Sequence, residues 1–468
     1  MHTRYDIPDN YYFSGGTQVS TITLLALVIL LASIACMFMV RRRQVVVPFL
    51  LANLVLPVSA TIVVGGLHFL ALRLLILAGW LRLCLRGELS WPRWTGLDKA
   101  VMAWACVYAV AFTVLWGNVA ALTNRLGFLW NTLGAYLLLR ILIRDKNDVV
   151  RVIKALAVFV IVVGPFLLHE HITGHNAFNV LGAEEVSAVR NGTIRAMGPF
   201  SHPIIAGTIG AMLAPLFIGL WWQDKRQRWL CGIAIASSLM MTVSAGASTP
   251  MMTFAAGVFA LLLWSWRTRM RFFRRALVAA LAVLQLVMKA PVWMLIARTG
   301  GAIGGSGYHR SMLIDNFIHH VGEWWLVGTQ NNADWGYDMW DVDNAFVAAG
   351  VGGGLLTFLA FIALVVYAYK QVGKSRILAA KFHNDERLVW ALGACLFANT
   401  VGFFGIVYFD QSVVAWYALL AMISATATVL PASGIRPQAR WKPANWREQA
   451  EPVREGKRLV PGHTLVGK

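Results

Sequence analysis

Residues 298–354 read RTGGAIGGSGYHRSMLIDNFIHHVGEWWLVGTQNNADWGYDMWDVDNAFVAAGVGGG, from Arg298 to Gly354. This is the longest polar interruption in a chain that is otherwise mostly apolar. Glycines, tryptophans, histidines and carboxylates crowd into it between two apolar segments. Similar runs of around 20 residues, the length a helix needs to cross a bilayer, recur from Thr21 to Leu430. Of 468 residues, 58% are hydrophobic and only 13% charged, about half the charge of a soluble domain, and the mean hydropathy is +0.61. In a bilayer every backbone polar group must be satisfied within the protein, so helices or a closed barrel are required. The runs are continuous rather than alternating, which excludes a barrel. The fold class expected is an all-α polytopic membrane protein.

By length, spans are predicted at 19–40, 44–64, 66–86, 97–116, 122–143, 151–168, 201–222, 229–247, 250–266, 276–297, 345–369, 388–408 and 411–430, about thirteen helices. The division between 44–64 and 66–86 rests on Gly65-Gly66 alone. A net charge of +19 in a soluble protein would suggest nucleic acid. Here the basic residues fall in short clusters between apolar runs, the signature of cytoplasmic loops. With the N-terminus outside, about 33 of the 41 Lys and Arg fall inside, so N-out, C-in is expected. Residues 1–430 then form the helical domain, 298–344 its large outer loop, and 431–468 a basic cytoplasmic tail, disordered and near anionic lipid. The five cysteines lie in apolar runs without paired spacing and read as small core residues. No cleavable signal peptide is expected, since the first apolar run lacks a basic n-region.

Two outer segments are long, 169–200 and 298–344. In the first, Arg190 and Arg195 are the basic side chains, and Arg195 opens R-x-x-G-x-F-x-x-P. A guanidinium at that surface suits a phosphate, gripped in bidentate fashion; the bland alternative is snorkelling to headgroups. Arg125 and Arg73 fall within predicted spans, where charges face the bundle interior. His169, His171, His175 and His202 lack the spacing of a metal site. In the second segment, a glycine-rich strap to Tyr308 is followed by apolar positions Leu313, Phe317, Val321 and Trp324, with His309 and Arg310 at their head. That spacing predicts an amphipathic helix in the outer interface. Trp335 and Trp340 suit sugar stacking or interfacial anchoring. Asp341, Asp343 and Asn344 stand at the mouth of the next span. There a carboxylate serves as general base, and an Asp or Asn equally serves as helix cap.

Two motifs carry a resemblance. RAMGPFSHPIIAG (195–207), together with RSMLIDNF and VDNAFVAAGVGGG (within 310–354), resembles the O-antigen ligase and polymerase superfamily, bacterial inner-membrane glycosyltransferases of the GT-C type. The likeness covers roughly 195–370. It implies transfer of a glycan from undecaprenyl diphosphate to a glycan or lipid-linked acceptor at the periplasmic face, with inversion and without metal or other cofactor. Arg195 and Arg310 match the motif arginines, and Asn344 matches the Asn of the H-N or D-N pair. The ligases carry His where this chain has Asp343, and many members carry Ser-Arg-Gly where it has Ser244-Ala245-Gly246.

The expectation that follows is a polymerase of exopolysaccharide or O-antigen repeat units. Asp343, Asp341, Arg310 and Arg195 would be catalytic, and Arg190, Arg125, Asn344, Trp335, Trp340 and His309 would bind substrate. Membrane lipids and export or assembly proteins are the further partners, and nucleic acid is not one. The competing readings are a ligase acting on lipid A-core or protein, a transporter or flippase, and a non-catalytic scaffold. A transporter would place its ionisable groups near mid-membrane in repeated halves; here they gather at one outer face.

Overall fold

The computed structural model describes residues 20–64, 67–190, 192–298 and 307–429. The strap at 299–306 and the tail at 431–468 lie outside them. The chain is mostly helical. In order, α1 spans Leu24–Met39, α2 Val46–Val55, α3 Ala71–Leu85, α4 Gly96–Trp116, α5 Val119–Leu129, α6 Ala135–Leu142, α7 Lys146–Thr173, α8 Pro203–Gln223, α9 Arg228–Ser244, α10 Ser248–Leu262 and α11 Met270–Val287. After the strap come α12 Gly307–His319, α13 Ala345–Ala379, α14 His383–Gly402 and α15 Gln411–Val429. Two small antiparallel hairpins accompany them. One pairs β1 (Thr61–Val64) with β2 (Leu67–Leu70), the other β3 (Ala188–Arg190) with β4 (Thr193–Arg195).

Among the described residues, α4, α7, α8 and α13 are long and apolar enough to cross a membrane. A bent unit of Ser248–Val287 with Val292–Arg298 makes a fifth candidate. This is fewer than the thirteen expected, and the chemistry of the breaks explains much of the difference. The run at 44–64 stops being helical after Val55, because Pro57 holds Leu56 in extended geometry (φ −74°, ψ 124°). The β-branched residues that follow then pair as β1. The run at 122–143 stays helical, with a π-turn at Trp130–Gly134 joining α5 to α6 rather than a break. The run at 276–297 begins earlier, at Met270, and breaks at Met288 ahead of Pro291, where the chain turns by 99°. In α13, Gly354 adopts φ 74° because the Leu326 carbonyl comes within 2.4 Å of where a Cβ would stand.

The centre of the bundle is α8, which packs against α7, α9, α10 and α14. Its small residues permit this. A Cβ at Gly207 would lie 2.5 Å from the Ala245 Cβ, one at Gly210 2.6 Å from the Met241 Cβ, and one at Gly219 2.4 Å from the Ala391 Cβ. Lipid tails are as apolar as leucine, so close van der Waals approach through small residues is what holds such helices together. The cysteines divide: Cys231 and Cys395 are buried, whereas Cys84 and Cys106 are exposed on helix flanks.

Two arginines near the ends of the predicted spans 66–86 and 122–143, counted with the inside charges, are interior. Arg140 pairs with Asp98 at 3.0 Å, both about 2% exposed, and Asp98 also accepts the Tyr136 hydroxyl at 2.5 Å. Arg82 is fully buried against Glu88 and donates to the Val40 carbonyl at 2.9 Å. Each sits at a helix end where a carboxylate is within reach, and unpaired burial would cost several kcal/mol per ion.

Gly210→Val should lower the unfolding midpoint in detergent by the equivalent of about 1–3 kcal/mol, the usual cost of overpacking, since Met241 and the Ser238 carbonyl block it. Gly373→Ala, with nothing within 4 Å of the new methyl, should be neutral. Equal midpoints for the two variants would contradict the tight packing of α8.

Candidate functional site

A cavity of about 1100 Å³ opens at one end of the bundle. Its wall includes Arg125, Arg190, Arg195, His309, Trp335, Trp340, Asp341 and Asp343. Two segments more than a hundred residues apart in sequence thus meet at one mouth.

The first half is the β3–β4 hairpin. Gly192 turns it at φ 74°, and the register sets Arg190 opposite Thr193 and Ala188 opposite Arg195. Glu170, at the end of α7, fixes the hairpin in place. Its carboxylate accepts the Met197 and Gly198 amides at 2.9 and 2.8 Å and the Ser187 hydroxyl at 2.8 Å. Beside it, His171 Nδ1 donates to the Ile194 carbonyl at 2.7 Å. Arg195 is 8% exposed and donates from Nε to the Ala245 carbonyl at 3.3 Å. Ser244-Ala245-Gly246 therefore does lie against the motif arginine. The Ala245 methyl packs on Gly207 of α8, leaving no volume for an arginine side chain in that direction.

The second half is α12 with the segment that leads into α13. The expected amphipathic helix ends at His319, followed by a short turn at Val321–Trp324. Of its four predicted apolar positions Leu313, Phe317 and Trp324 face inward, whereas Val321, just past the end of the helix, is exposed. Leu313, Phe317 and Trp324 form a small core with Trp335, Met339, Val347 and Val351, in which Phe317 and Trp324 stack at 3.9 Å. Trp335 is part of that core, its indole N–H donated to Glu323 at 2.7 Å and its ring stacked on His320. It forms cavity wall rather than an open stacking face. Tyr337 and Trp340 line the cavity.

Arg310 is 5% exposed and lies behind Asp343 rather than on the cavity wall. Its Nη2 stands 3.7 Å from Asp343 Oδ2, and the guanidinium donates to Ser248 Oγ at 3.3 Å and the Gly405 carbonyl at 3.4 Å. Gly405 makes that seat possible, since a Cβ there would stand 3.2 Å from Arg310 Nε. Asn344 is the helix cap, accepting the Phe346 and Val347 amides at 2.9 and 3.3 Å, and it does not line the cavity. His309 does, donating from Nε2 to the Asp341 carbonyl at 3.2 Å. At the far rim, the Arg125 guanidinium lies 3.7 Å from the Phe112 ring centroid.

The electrostatics follow from burial and proximity. Burial, with Arg190 and Arg310 nearby, lowers the Arg195 pKa. Burial likewise lowers that of Arg310, opposed by Asp343. Burial raises Asp341 and Asp343, Asp343 to about 6, against the pull of Arg310. The site thus has clustered guanidiniums beside an acid poised near neutrality.

Sequence reasoning missed His202. It caps α8, its Nδ1 accepting the Ile204 amide at 3.2 Å, and it lines the cavity. Burial and Arg195 hold its pKa down to about 4, so the ring is neutral with its proton on Nε2. The His-Pro pair at the head of a span was the available signal. Among the described residues, no group of three His, Cys, Asp or Glu side chains is arranged to hold a metal ion.

Three guanidiniums near one cavity should bind a diphosphate. Pyrophosphate is expected to raise the unfolding temperature of the detergent-solubilised protein, as any ligand selective for the folded state does, and Arg195→Ala should abolish most of the shift. The same shift in wild type and variant would assign Arg195 a purely structural role.

No family model matches the chain, and no curated protein matches it.

Proposed function

We propose that the chain is a membrane glycosyltransferase of the GT-C type that polymerises undecaprenyl-diphosphate-linked repeat units of an exopolysaccharide or O-antigen at the outer face of a bacterial inner membrane. The convergence of Arg190 and Arg195 with Asp343 at one cavity is the observation that supports this reading best. It provides anion binding and a proton acceptor within one space.

In the proposed reaction, an acceptor sugar hydroxyl attacks the anomeric carbon from the face opposite the diphosphate, and the configuration inverts. The new glycosidic C–O bond forms as the bond to the diphosphate breaks, and the departing oxygen keeps the electron pair. The hydroxyl proton passes to the Asp343 carboxylate, with Asp341 beside it. Arg195 and Arg190 offset the charge that develops on the diphosphate, while Arg310 holds Asp343 in position. A preorganised donor of this kind is worth about 10²–10³ in rate. Neutral His202 offers Nε2–H as a further donor. The gathering of these groups at one cavity favours surface chemistry over transport, which would need ionisable groups at mid-membrane.

Arg195→Ala or Arg310→Ala should abolish polymer without reducing the amount of protein in the membrane. Normal polymer length and yield from both variants would defeat the assignment. Deleting the gene separates the two transferase readings: single repeat units left on the carrier identify a polymerase, long carrier-linked chains a ligase.

A general base must be ionised to accept a proton. Because burial raises Asp343, kcat/KM should decline as pH falls through about 6, and Asp343→Asn should remove both that limb and most of the activity. A pH profile that is flat from 5 to 8 would remove Asp343 from the role of base.

A further inference from the structure

A second cavity, of about 320 Å³, adjoins the first and shares Arg125 and Phe409 with it. Its wall includes Arg73 from the start of α3, Asn124 and Asn131 from α5 and the turn after it, and Asp410 from the loop before α15. The proposed reaction uses none of these. The volume is at the small end of ligand sites, which run to about 300–1,000 Å³.

Two cations face this space without a carboxylate of their own. Arg73 donates from Nη1 to the His68 carbonyl at 2.7 Å and from Nε to Asn131 Oδ1 at 3.4 Å. Arg125 donates to Asn124 Oδ1 at 3.1 and 2.8 Å. Among the described residues, no ion pair includes either arginine. Gly127 gives the Arg73 head its room, since a Cβ there would come within 2.6 Å of Nη2. The remaining polar groups are of a different kind. Asn124 and Asn131 keep amide N–H donors, and Asp410, which accepts the Ser201 hydroxyl, is an acceptor.

This mixture distinguishes between anions. A diphosphate offers acceptors only, so it gains nothing from Asp410 and is repelled by it. A sugar acid offers one carboxylate for a guanidinium, whose planar fork fits it, and hydroxyls that both donate and accept. Asn53, Thr132 and Gln411 add further polar groups, and the rest of the wall is largely apolar or aromatic, with Phe128, Phe409 and Tyr417 among it. We propose that this second cavity is a saccharide subsite for an acidic sugar residue, with the sugar carboxylate on Arg73 and its hydroxyls on Asn124, Asn131 and Asp410. The assignment rests on the reading that the chain handles a glycan at this end of the bundle. A glycan held in the first cavity would reach the second past Arg125 and Phe409.

The test uses the full chain in detergent micelles, titrated with methyl glucuronide, methyl glucoside and inorganic pyrophosphate by ligand-observed NMR. Wild type should bind the glucuronide at least tenfold more tightly than the glucoside. Asn131→Asp, which supplies Arg73 with a carboxylate, and Gly127→Ala, which displaces its flexible head, should each remove that preference. Both should leave the unfolding temperature and pyrophosphate binding unchanged, and Arg195→Ala should lose pyrophosphate but keep the glucuronide. Equal binding of the two glycosides, or competition between pyrophosphate and glucuronide, overturns the proposal. So does loss of glucuronide binding in Arg195→Ala but not in Asn131→Asp. If polymer persists in the Arg195 and Arg310 variants while the glucuronide preference follows Arg73, the transferase reading fails and the subsite stands.

Discussion

Arg310 holds the site end of the bundle together. It rises from α12, pairs with Asp343 ahead of α13, and donates to Ser248 at the start of α10 and to the Gly405 carbonyl between α14 and α15. Four separate parts of the chain therefore converge on one guanidinium. A buried cation has few ways to be stable, and each partner removed leaves a charge uncompensated at a cost of several kcal/mol. The requirement to satisfy Arg310 thus sets where the acidic mouth stands relative to the membrane helices. A side chain at Gly405 would crowd Thr249 and then the Arg310 guanidinium.

The opposite wall is held by a different device. Arg195 has no ion-pair partner among the described residues, and Arg190 and Arg310 add like charge nearby. Such a cluster would spread apart if it were attached to flexible chain. It is held instead by the neutralising geometry around Glu170, whose carboxylate takes two backbone amides and a hydroxyl from the loop that carries Arg195. Rigid backbone restrains what electrostatics would disperse. In the proposed function this unfavourable charge density is what receives the diphosphate, as in other preorganised sites.

Much of this organisation was legible in the sequence, because it depends on residue type and order. Apolar run length indicated a mostly helical chain of membrane type but gave more long spans than the four or five found, and the motif around Arg195 drew attention to a residue that does line a cavity. What was hidden depends on three-dimensional neighbours. Helix breaks at Pro57 and Gly354 were hard to weigh, since glycine and proline are tolerated within membrane helices when other groups satisfy the backbone. The tryptophans looked interfacial by composition, yet Trp324 and Trp335 fill a core made within the loop itself. Arg82 and Arg140, near the ends of predicted spans, gave no sequence sign of their burial, which depends on Glu88 and Asp98 beside them. Asp410 carries no sequence pattern of its own and His202 only the His-Pro pair at the head of a span, and folding brings each to a cavity.

On the proposed reading, the surroundings of Asp343 account for a carboxylate where the ligases that the sequence resembles carry histidine. In this setting an imidazole beside Arg310 would be driven neutral, and its protonated form, which a base must become, would face the guanidinium directly. A carboxylate is subject to the opposite balance. Arg310 stabilises its ionised form and burial destabilises it, and burial prevails, leaving the group at about 6. It is then ionised at neutral pH and still basic enough to take a proton as the sugar hydroxyl attacks. Once protonated in the proposed reaction, it no longer neutralises Arg310, which stays buried behind it, and the charge on the diphosphate is met by Arg190 and Arg195 on the cavity wall. In that reaction, placing the base and stabilising the leaving group fall to different arginines, Arg310 for the first and Arg190 with Arg195 for the second.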